Sequence, residues 1–253
     1  MYKILANTIF LGKDVHFLPD CHSTNDIALQ MVRSGQVQEG AIVICGHQTK
    51  GKGQRGNSWI SEPGKNLTFS LVLKPVFLDI TEQFVLNMCI SNAIRKVLQD
   101  YIPYLTVKWP NDLVVPDFGK LGGILIENVI SSKSWENAVV GIGLNINQLV
   151  FENEKATSLS KITGNNFDLQ ELFRLIITQI EQSYLQLKKG KYKEIKNDYL
   201  NHLYLKNQFA SFRSENGDFS GQITGIDEQG KLLIEDETGE LRTFGLKEVA
   251  FLD

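Results

Sequence analysis

Gly46-His47-Gln48-Thr49-Lys50-Gly51-Lys52-Gly53-Gln54-Arg55-Gly56-Asn57-Ser58-Trp59 lies between two apolar runs, Ala41 to Cys45 and Leu67 to Leu73. Three folds compete for this stretch. Gly46 to Lys52 spells GxxxxGK, the opening of a P-loop, but Gly53 follows, so the hydroxyl that would hold magnesium is missing. Gly51, Gly53 and Gly56 spell GxGxxG after a strand, but a dinucleotide-binding unit then needs a helix whose N-terminus takes the pyrophosphate. Asn57 to Gly64 contains Pro63 and cannot be a regular helix. What remains is a glycine-rich loop between strands. Its glycines let the backbone approach an anion and present N–H groups to it. Lys50, Lys52 and Arg55 can offset a carboxylate or phosphates. The competing reading is a solvated surface loop. Trp59 either starts a buried strand or offers a flat face to an adenine-like ring.

Outward from this loop the elements follow from periodicity. Ser23-Thr24-Asn25-Asp26 reads as a helix start, Ile27, Ala28, Met31 and Val32 recur at helical spacing, and Gly35 ends the run. Thr81 opens a long helix with an apolar stripe through Phe84, Met88, Ala93 and Val97. Leu105 to Val115 reads as two strand pieces around Pro110-Asn111-Asp112. Residues 123–130 and 138–146 read as strands facing each other. Residues 169–187 and 192–205 read as helices. From Gln208 onward short apolar pieces alternate with turns such as Glu215-Asn216-Gly217, which reads as a small antiparallel barrel or sandwich. Residues 208–253 carry 4 Lys+Arg against 10 Asp+Glu, whereas the rest of the chain is net +3. The expected domains are therefore 1–206 and 207–253.

The chain has 253 residues, 42% of them hydrophobic and 22% charged, with a net charge of −3. This composition supports a real core and excludes a disordered chain, a collagen and a disulfide scaffold. No run of about 18 uncharged apolar residues offers a membrane span. Met1 to Asn7 has too short an apolar core for a signal peptide. Cys21, Cys45 and Cys89 are far apart and each adjoins an apolar segment, which predicts free buried thiols and a reducing, cytoplasmic setting. Mild acidity argues against a nucleic-acid-coating protein.

Two further segments carry chemistry. Lys108-Trp109-Pro110-Asn111-Asp112 is followed by Lys120-Leu121-Gly122-Gly123-Ile124-Leu125-Ile126-Glu127. Asn111 and Asp112 suit a turn. Lys108 and Lys120 flank apolar strands and either snorkel to water or meet an anion in a pocket. Gly122-Gly123 would let a ligand lie flat on the strand. Gly141-Ile142-Gly143-Leu144-Asn145 again suits close approach, and Asn145 needs an amide partner, from a ligand or from neighbouring backbone.

Taken together, Ser23-Thr24-Asn25, Gln48 to Trp59, Lys108 to Asp112, Lys120 to Glu127 and Gly141 to Asn147 resemble the motifs of biotin protein ligases, in that family's order. The resemblance is strong over about residues 15–150. It implies an α+β fold: a mixed β-sheet with helices on one face, like class II aminoacyl-tRNA synthetases, closed by a C-terminal SH3-like β-barrel. It implies that biotin and ATP form biotinyl-5′-AMP and pyrophosphate with Mg2+ on the phosphates, no protein metal site, and that a lysine of a biotin carboxyl carrier protein domain then displaces AMP. Carried over by motif, Ser23, Thr24, Asn25 and Gln48 contact biotin. Gly51, Lys52, Gly53 and Gln54 cover it, and Gly122 and Gly123 lie beneath it. Lys120 serves the carboxylate and α-phosphate, Lys108 the phosphates or the incoming amine, and Asp112 the target lysine. Arg55, Asn57, Trp59, Asn111 and Asn145 hold ATP, and Arg55 is also a catalytic candidate, reaching the adenylate intermediate.

Many family members read Gly-Arg-Gly-Arg where this chain reads Gly51-Lys52-Gly53-Gln54, then Arg55. The first swap keeps charge without arginine's fork, and the second moves the guanidinium by one position. Some bacterial members carry an N-terminal helix-turn-helix. About 20 residues precede Ser23, too few for that module, so no DNA binding is expected. A homodimer is compatible with the resemblance. The alternatives are a lipoate or octanoate protein ligase, whose Arg-Arg-x-Ser-Gly-Gly-Gly motif is absent here, and a non-catalytic biotin-binding protein, which Gln54 favours and Lys108 with Lys120 oppose.

Overall fold

Leu67–Leu73 is buried at every position, so this strand has packed neighbours on both faces. The computed structural model describes residues 7–130 and 135–252, with Arg55 described by its backbone alone. Residues 1–6, part of the stretch judged too short for a leader, lie outside the described residues. Strands β1 (Val15–Cys21) and β2 (Ile42–Gln48) run parallel and are joined by helix α1 (Thr24–Arg33). Strands β3 (Leu67–Leu73), β4 (Thr106–Lys108), β5 (Asp112–Val115), β6 (Gly119–Ile130) and β7 (Trp135–Leu144) continue the sheet antiparallel. Its order is β1-β2-β3-β7-β6-β5-β4. The sequence reading did not identify β1. Its Pro19 lacks an N–H, which an edge strand tolerates.

Helices α2 (Gln83–Leu98), α3 (Leu159–Thr163), α4 (Leu169–Lys188) and α5 (Tyr192–Asn201) follow. Alternate strand residues divide between two cores. Ile42, Ile44, Leu67, Phe69, Leu71, Val140 and Ile142 pack with α2 and α4. Val43, Val72 and Val139 pack with Ala28 and Leu29 of α1. The expectation of helices on one face is therefore corrected. α1 lies on the opposite face because β2, β3 and β7 carry apolar residues on both sides. α1 covers only part of that face, and its N-terminus opens onto the uncovered part.

The C-terminal sheet contains β8 (Phe209–Ser214), β9 (Gly217–Ile226), β10 (Leu232–Asp236), β11 (Leu241–Phe244) and β12 (Val249–Phe251), all antiparallel, in the order β11-β10-β9-β8-β12. Phe212, Ile223, Leu232 and Ile234 belong to the same buried cluster as the main sheet. Trp109 Nε1 donates to the Gly230 carbonyl at 2.8 Å.

Two buried carboxylates hold irregular chain. Glu181 of α4 accepts from the N–H groups of Ile9, Phe10 and Leu11 at 2.7, 2.8 and 2.8 Å. Oε2 takes Ile9 and Oε1 takes the other two. In Glu181→Gln an NH2 group would oppose one of these N–H groups. We expect a loss of about 2 kcal/mol, read as a lower urea midpoint with an unchanged m-value. Asp236 Oδ1 accepts from Thr238 Oγ1 at 2.6 Å, Thr238 N at 2.9 Å and Glu240 N at 3.1 Å. These bonds, the Thr238 hydroxyl first, hold its carboxyl at about 2, below the ordinary 3.8. A depressed folded-state value stabilises the fold above the unfolded value and ceases to do so as pH falls through the folded one. The stability advantage of the wild type over Asp236→Asn should therefore shrink between pH 3.8 and about 2, in denaturant titrations run at each pH.

Candidate functional site

The part of this face that α1 leaves uncovered forms a cleft. Its floor comes from strand residues of one parity: Thr68 of β3, Gly123 and Leu125 of β6, Gly141 and Gly143 of β7. Its end wall is the N-terminus of α1, where Ser23 caps the helix by accepting from Asp26 N at 3.4 Å. The positive end of the helix dipole thus faces the cleft.

The end wall is a buried polar network. Gln48 Oε1 accepts from Thr24 N at 2.7 Å and lies 3.1 Å from Thr24 Oγ1. Ser70 Oγ lies 2.8 Å from Thr24 Oγ1 and 2.6 Å from Asn25 Oδ1. Ser70 has one proton and Asn25 Oδ1 can only accept, so that proton goes to Asn25. Thr24 then has one proton for two acceptors, Gln48 and Ser70. Asn25 Nδ2 donates to Glu127 Oε2 at 2.8 Å. Gly141 must lack a side chain because its Cβ would meet the Asn25 amide.

The glycine-rich loop forms the lid. Its backbone doubles back through bonds from Trp59 N to Gly51 O (2.9 Å) and from Gly53 N to Asn57 O (2.7 Å). Lys52, Gly53 and Gln54 line the cleft, and the Lys52 ammonium pairs with Asp26. This bond raises the Lys52 pKa. Gly51 lies behind, against the Trp59 carbonyl and Gln48, and Asn57 is exposed; neither lines the cleft. The Arg55 side chain lies outside what the structure describes.

Trp59 lies flat over Gly143, whose Cβ would come within 2.5 Å of the indole. A second lobe opens beyond the ring, lined by Trp59, Ile60, Glu62, Lys120, Asn145, Gln148, Val150 and Phe151 among others. Trp59 and Lys120 line both lobes. Lys120 Nζ pairs with Asp112 Oδ1 at 2.7 Å and stands 6.0 Å from the Trp59 ring centroid. Two buried polar atoms here have no hydrogen-bond partner: Trp59 Nε1 and Asn145 Oδ1. A buried orphan costs about 1–3 kcal/mol unless a ligand or water satisfies it.

A β-bulge sets Lys120. Asp112 pairs with Gly123 and Leu113 with Gly122, but Val114 pairs with Lys120, so Leu121 is the extra residue. The bulge reverses parity, putting Lys120 and Gly123 on the cleft face. A Cβ on Gly123 would press on Asp112 Oδ1 and Lys120 Nζ, both 3.2–3.3 Å away. Gly122, expected beneath the ligand, instead faces Leu144 in the core. Lys108 is also displaced from expectation. Its ammonium lies 4.4 Å from the Phe251 ring centroid and 5.4 Å from that of Tyr204, toward the C-terminal sheet. Asn111 lines the cleft, but its amide donates to Ile124 O, bracing β6.

Sequence reasoning missed Thr68, Ser70 and the walls 60–62 and 148–153. Thr68 and Ser70 were legible as polar residues alternating with Leu67, Phe69 and Leu71. The walls have no periodicity to read.

Residues 18–145 match the biotin/lipoate A/B protein ligase family, and residues 211–246 match the biotin protein ligase C terminal domain. The bifunctional ligase/repressor BirA of Bacillus subtilis is 28% identical over 251 residues, covering 92% of this chain and 72% of BirA. The biotin--[acetyl-CoA-carboxylase] ligase of Paracoccus denitrificans is 26% identical over 226 residues, covering 86% of this chain and 92% of that one. The structure of biotin protein ligase from Aquifex aeolicus in complex with biotin and ATP aligns with TM-score 0.78 at 26% identity, covering 94% of this chain and 98% of that one. With residues 18–145, half of its length, and most of its C-terminal sheet both matched, the chain belongs to the biotin/lipoate A/B protein ligase family.

Proposed function

We propose that this protein joins biotin to a lysine of the biotin carrier domain of acetyl-CoA carboxylase, at the expense of ATP. The observation that carries the reading is Lys120, one cation at the meeting point of two adjoining lobes. Activation of a carboxylate by ATP brings two anions into bonding contact, so a cation belongs at that point. The biotin ureido ring takes the network of Thr24, Gln48, Asn25 and Ser23, and its carboxylate extends toward Lys120. ATP, with magnesium on its phosphates as part of the substrate, takes the second lobe. Its adenine lies against Trp59, and its amino group donates to Asn145 Oδ1. The carboxylate oxygen attacks the α-phosphorus and pyrophosphate leaves. The Lys52 to Gln54 lid limits water access to the anhydride. The amine of the carrier lysine then attacks the acyl carbon, AMP leaves, and Asp112, the carboxylate that orients Lys120, takes the proton. We assign Lys108 to the junction with the C-terminal sheet rather than to the phosphates.

We further infer that the main sheet is of the class II aminoacyl-tRNA synthetase kind. The C-terminal sheet is read as an SH3-like barrel beginning near residue 207, a reading supported by β12 returning beside β8. Three free, buried cysteines favour the cytoplasm. The test is ATP–pyrophosphate exchange driven by biotin, with lipoate and octanoate run alongside, followed by mass analysis of a carrier domain. Biotin alone should drive exchange and add one biotinyl group to the carrier. Exchange driven by lipoate or octanoate instead would sink the substrate assignment.

A further inference from the structure

The second lobe has an unusual construction. One wall is the segment Ile60 to Glu62, the other is Gln148 to Asn153, and neither contains a helix or strand. Loops of this kind have no ladder to hold them, and a ligand that orders them on arrival loses affinity to their conformational entropy. Here one side chain spans both. Gln148 is 8% exposed. Its Oε1 accepts from Glu62 N at 2.9 Å and from Asn66 Nδ2 at 2.6 Å, and its Nε2 donates to Val150 O at 2.7 Å. Asn66 continues the tie, since its Oδ1 accepts from Ile146 N at 2.9 Å, just past the end of β7. One amide therefore fastens the first wall, the second wall and the end of the sheet that presents Asn145.

We propose that Gln148 is a positioning residue for the nucleotide: its amide clamps the two loop walls together so that the second lobe is formed before ATP arrives. This rests on the reading that the second lobe takes ATP. The clamp acts through the walls rather than on the reacting atoms, so it governs ATP affinity and leaves the biotin lobe, which Gln148 does not line, unchanged.

Two variants separate the bonds. Gln148→Leu removes all three. Gln148→Glu keeps the acceptor for Glu62 N and Asn66 Nδ2 but turns a donor into a carboxylate oxygen facing Val150 O, which frees the second wall alone. Titrating biotin-saturated protein with α,β-methylene-ATP and magnesium should show Kd raised about tenfold in Gln148→Glu and more in Gln148→Leu. Biotin affinity in the absence of nucleotide should stay within twofold. In exchange assays KM for ATP should rise while kcat at saturating ATP stays within about threefold, a split that general destabilisation would not produce. Hydrogen–deuterium exchange should show faster labelling confined to residues 149–153 in Gln148→Glu. If Gln148→Leu fails to fold, Gln148→Glu alone decides. Unchanged ATP affinity in Gln148→Glu, or unchanged protection of 149–153, overturns the clamp. A wild-type protein that binds biotin but not the ATP analogue overturns the nucleotide reading itself, an outcome distinct from failure of the clamp.

Discussion

Lys120→Ala should lower biotin-dependent ATP–pyrophosphate exchange by about a thousandfold while leaving a folded protein that still binds biotin. Two unit charges 4 Å apart interact by about 4 kcal/mol at an effective dielectric constant of 20, and that energy corresponds to about a thousandfold in rate. The substitution acts twice. It removes the cation from the point where carboxylate and α-phosphate meet, and it leaves Asp112, its partner at 2.7 Å, as an uncompensated negative charge beside them. Lys120→Ala,Asp112→Asn should therefore recover part of the loss, because the second change removes the repulsion but not the need for a cation. The fold should tolerate Lys120→Ala, since the lysine side chain is 39% exposed and its backbone bonds to Lys155 O and Thr157 N do not involve the side chain. Calorimetry with biotin and a thermal melt serve as controls. Exchange within tenfold of wild type would remove Lys120 from the reaction.

Gly143→Val should raise KM for ATP by about a hundredfold and weaken biotin binding by about tenfold. The Cβ would sit 2.5 Å from Trp59 Cε2, 2.7 Å from Cζ2 and 2.9 Å from Cδ2, so the indole must leave the sheet. Trp59 is the wall common to both lobes, and its departure opens each into the other. Strand formation itself should survive, because valine suits β structure and Gly143 pairs in register with Thr68 and Gly123. The check is a double-mutant cycle with Trp59→Ala. If Gly143 acts by giving the ring its seat, adding Gly143→Val to Trp59→Ala should change KM for ATP by less than threefold. Full additivity would mean that Gly143 contacts the nucleotide independently of the indole. The tryptophan emission of Gly143→Val should also shift to the red as Trp59 becomes solvated.

Legibility in the sequence followed periodicity. The bounds of β3 at Leu67 and Leu73 agree with the apolar run, and α4 at Leu169–Lys188 agrees with its helical stripe, because burial on defined faces imposes those repeats. The stretch that follows β2 was legible as a loop because its glycines and Pro63 exclude a regular α-helix, but the strand itself runs on through Gly46, His47 and Gln48, which the sequence reading had given to the loop. β1 was not legible, since Pro19 and Asp20 interrupt its apolar run and only an edge position accommodates them. The walls 60–62 and 148–153 were not legible because side-chain hydrogen bonds hold them between residues some 80 positions apart.

The sequence by itself determined the class of chemistry: a glycine-rich cationic loop, a lysine beside paired glycines and a polar helix start, in an order that matches one ligase family. Tertiary structure alone decided which of these residues meet. Strand alternation would have placed Lys120 on the face of Gly122, but the single extra residue at Leu121 turns it to the face of Gly123, Asp112 and Trp59. Lys108, equally basic and in as strong a motif, is turned by its edge strand toward Phe251 instead. A local pattern records residue type and spacing. The register between strands, which selects one lysine for the cleft and the other for the C-terminal sheet, depends on pairing partners distant in the chain.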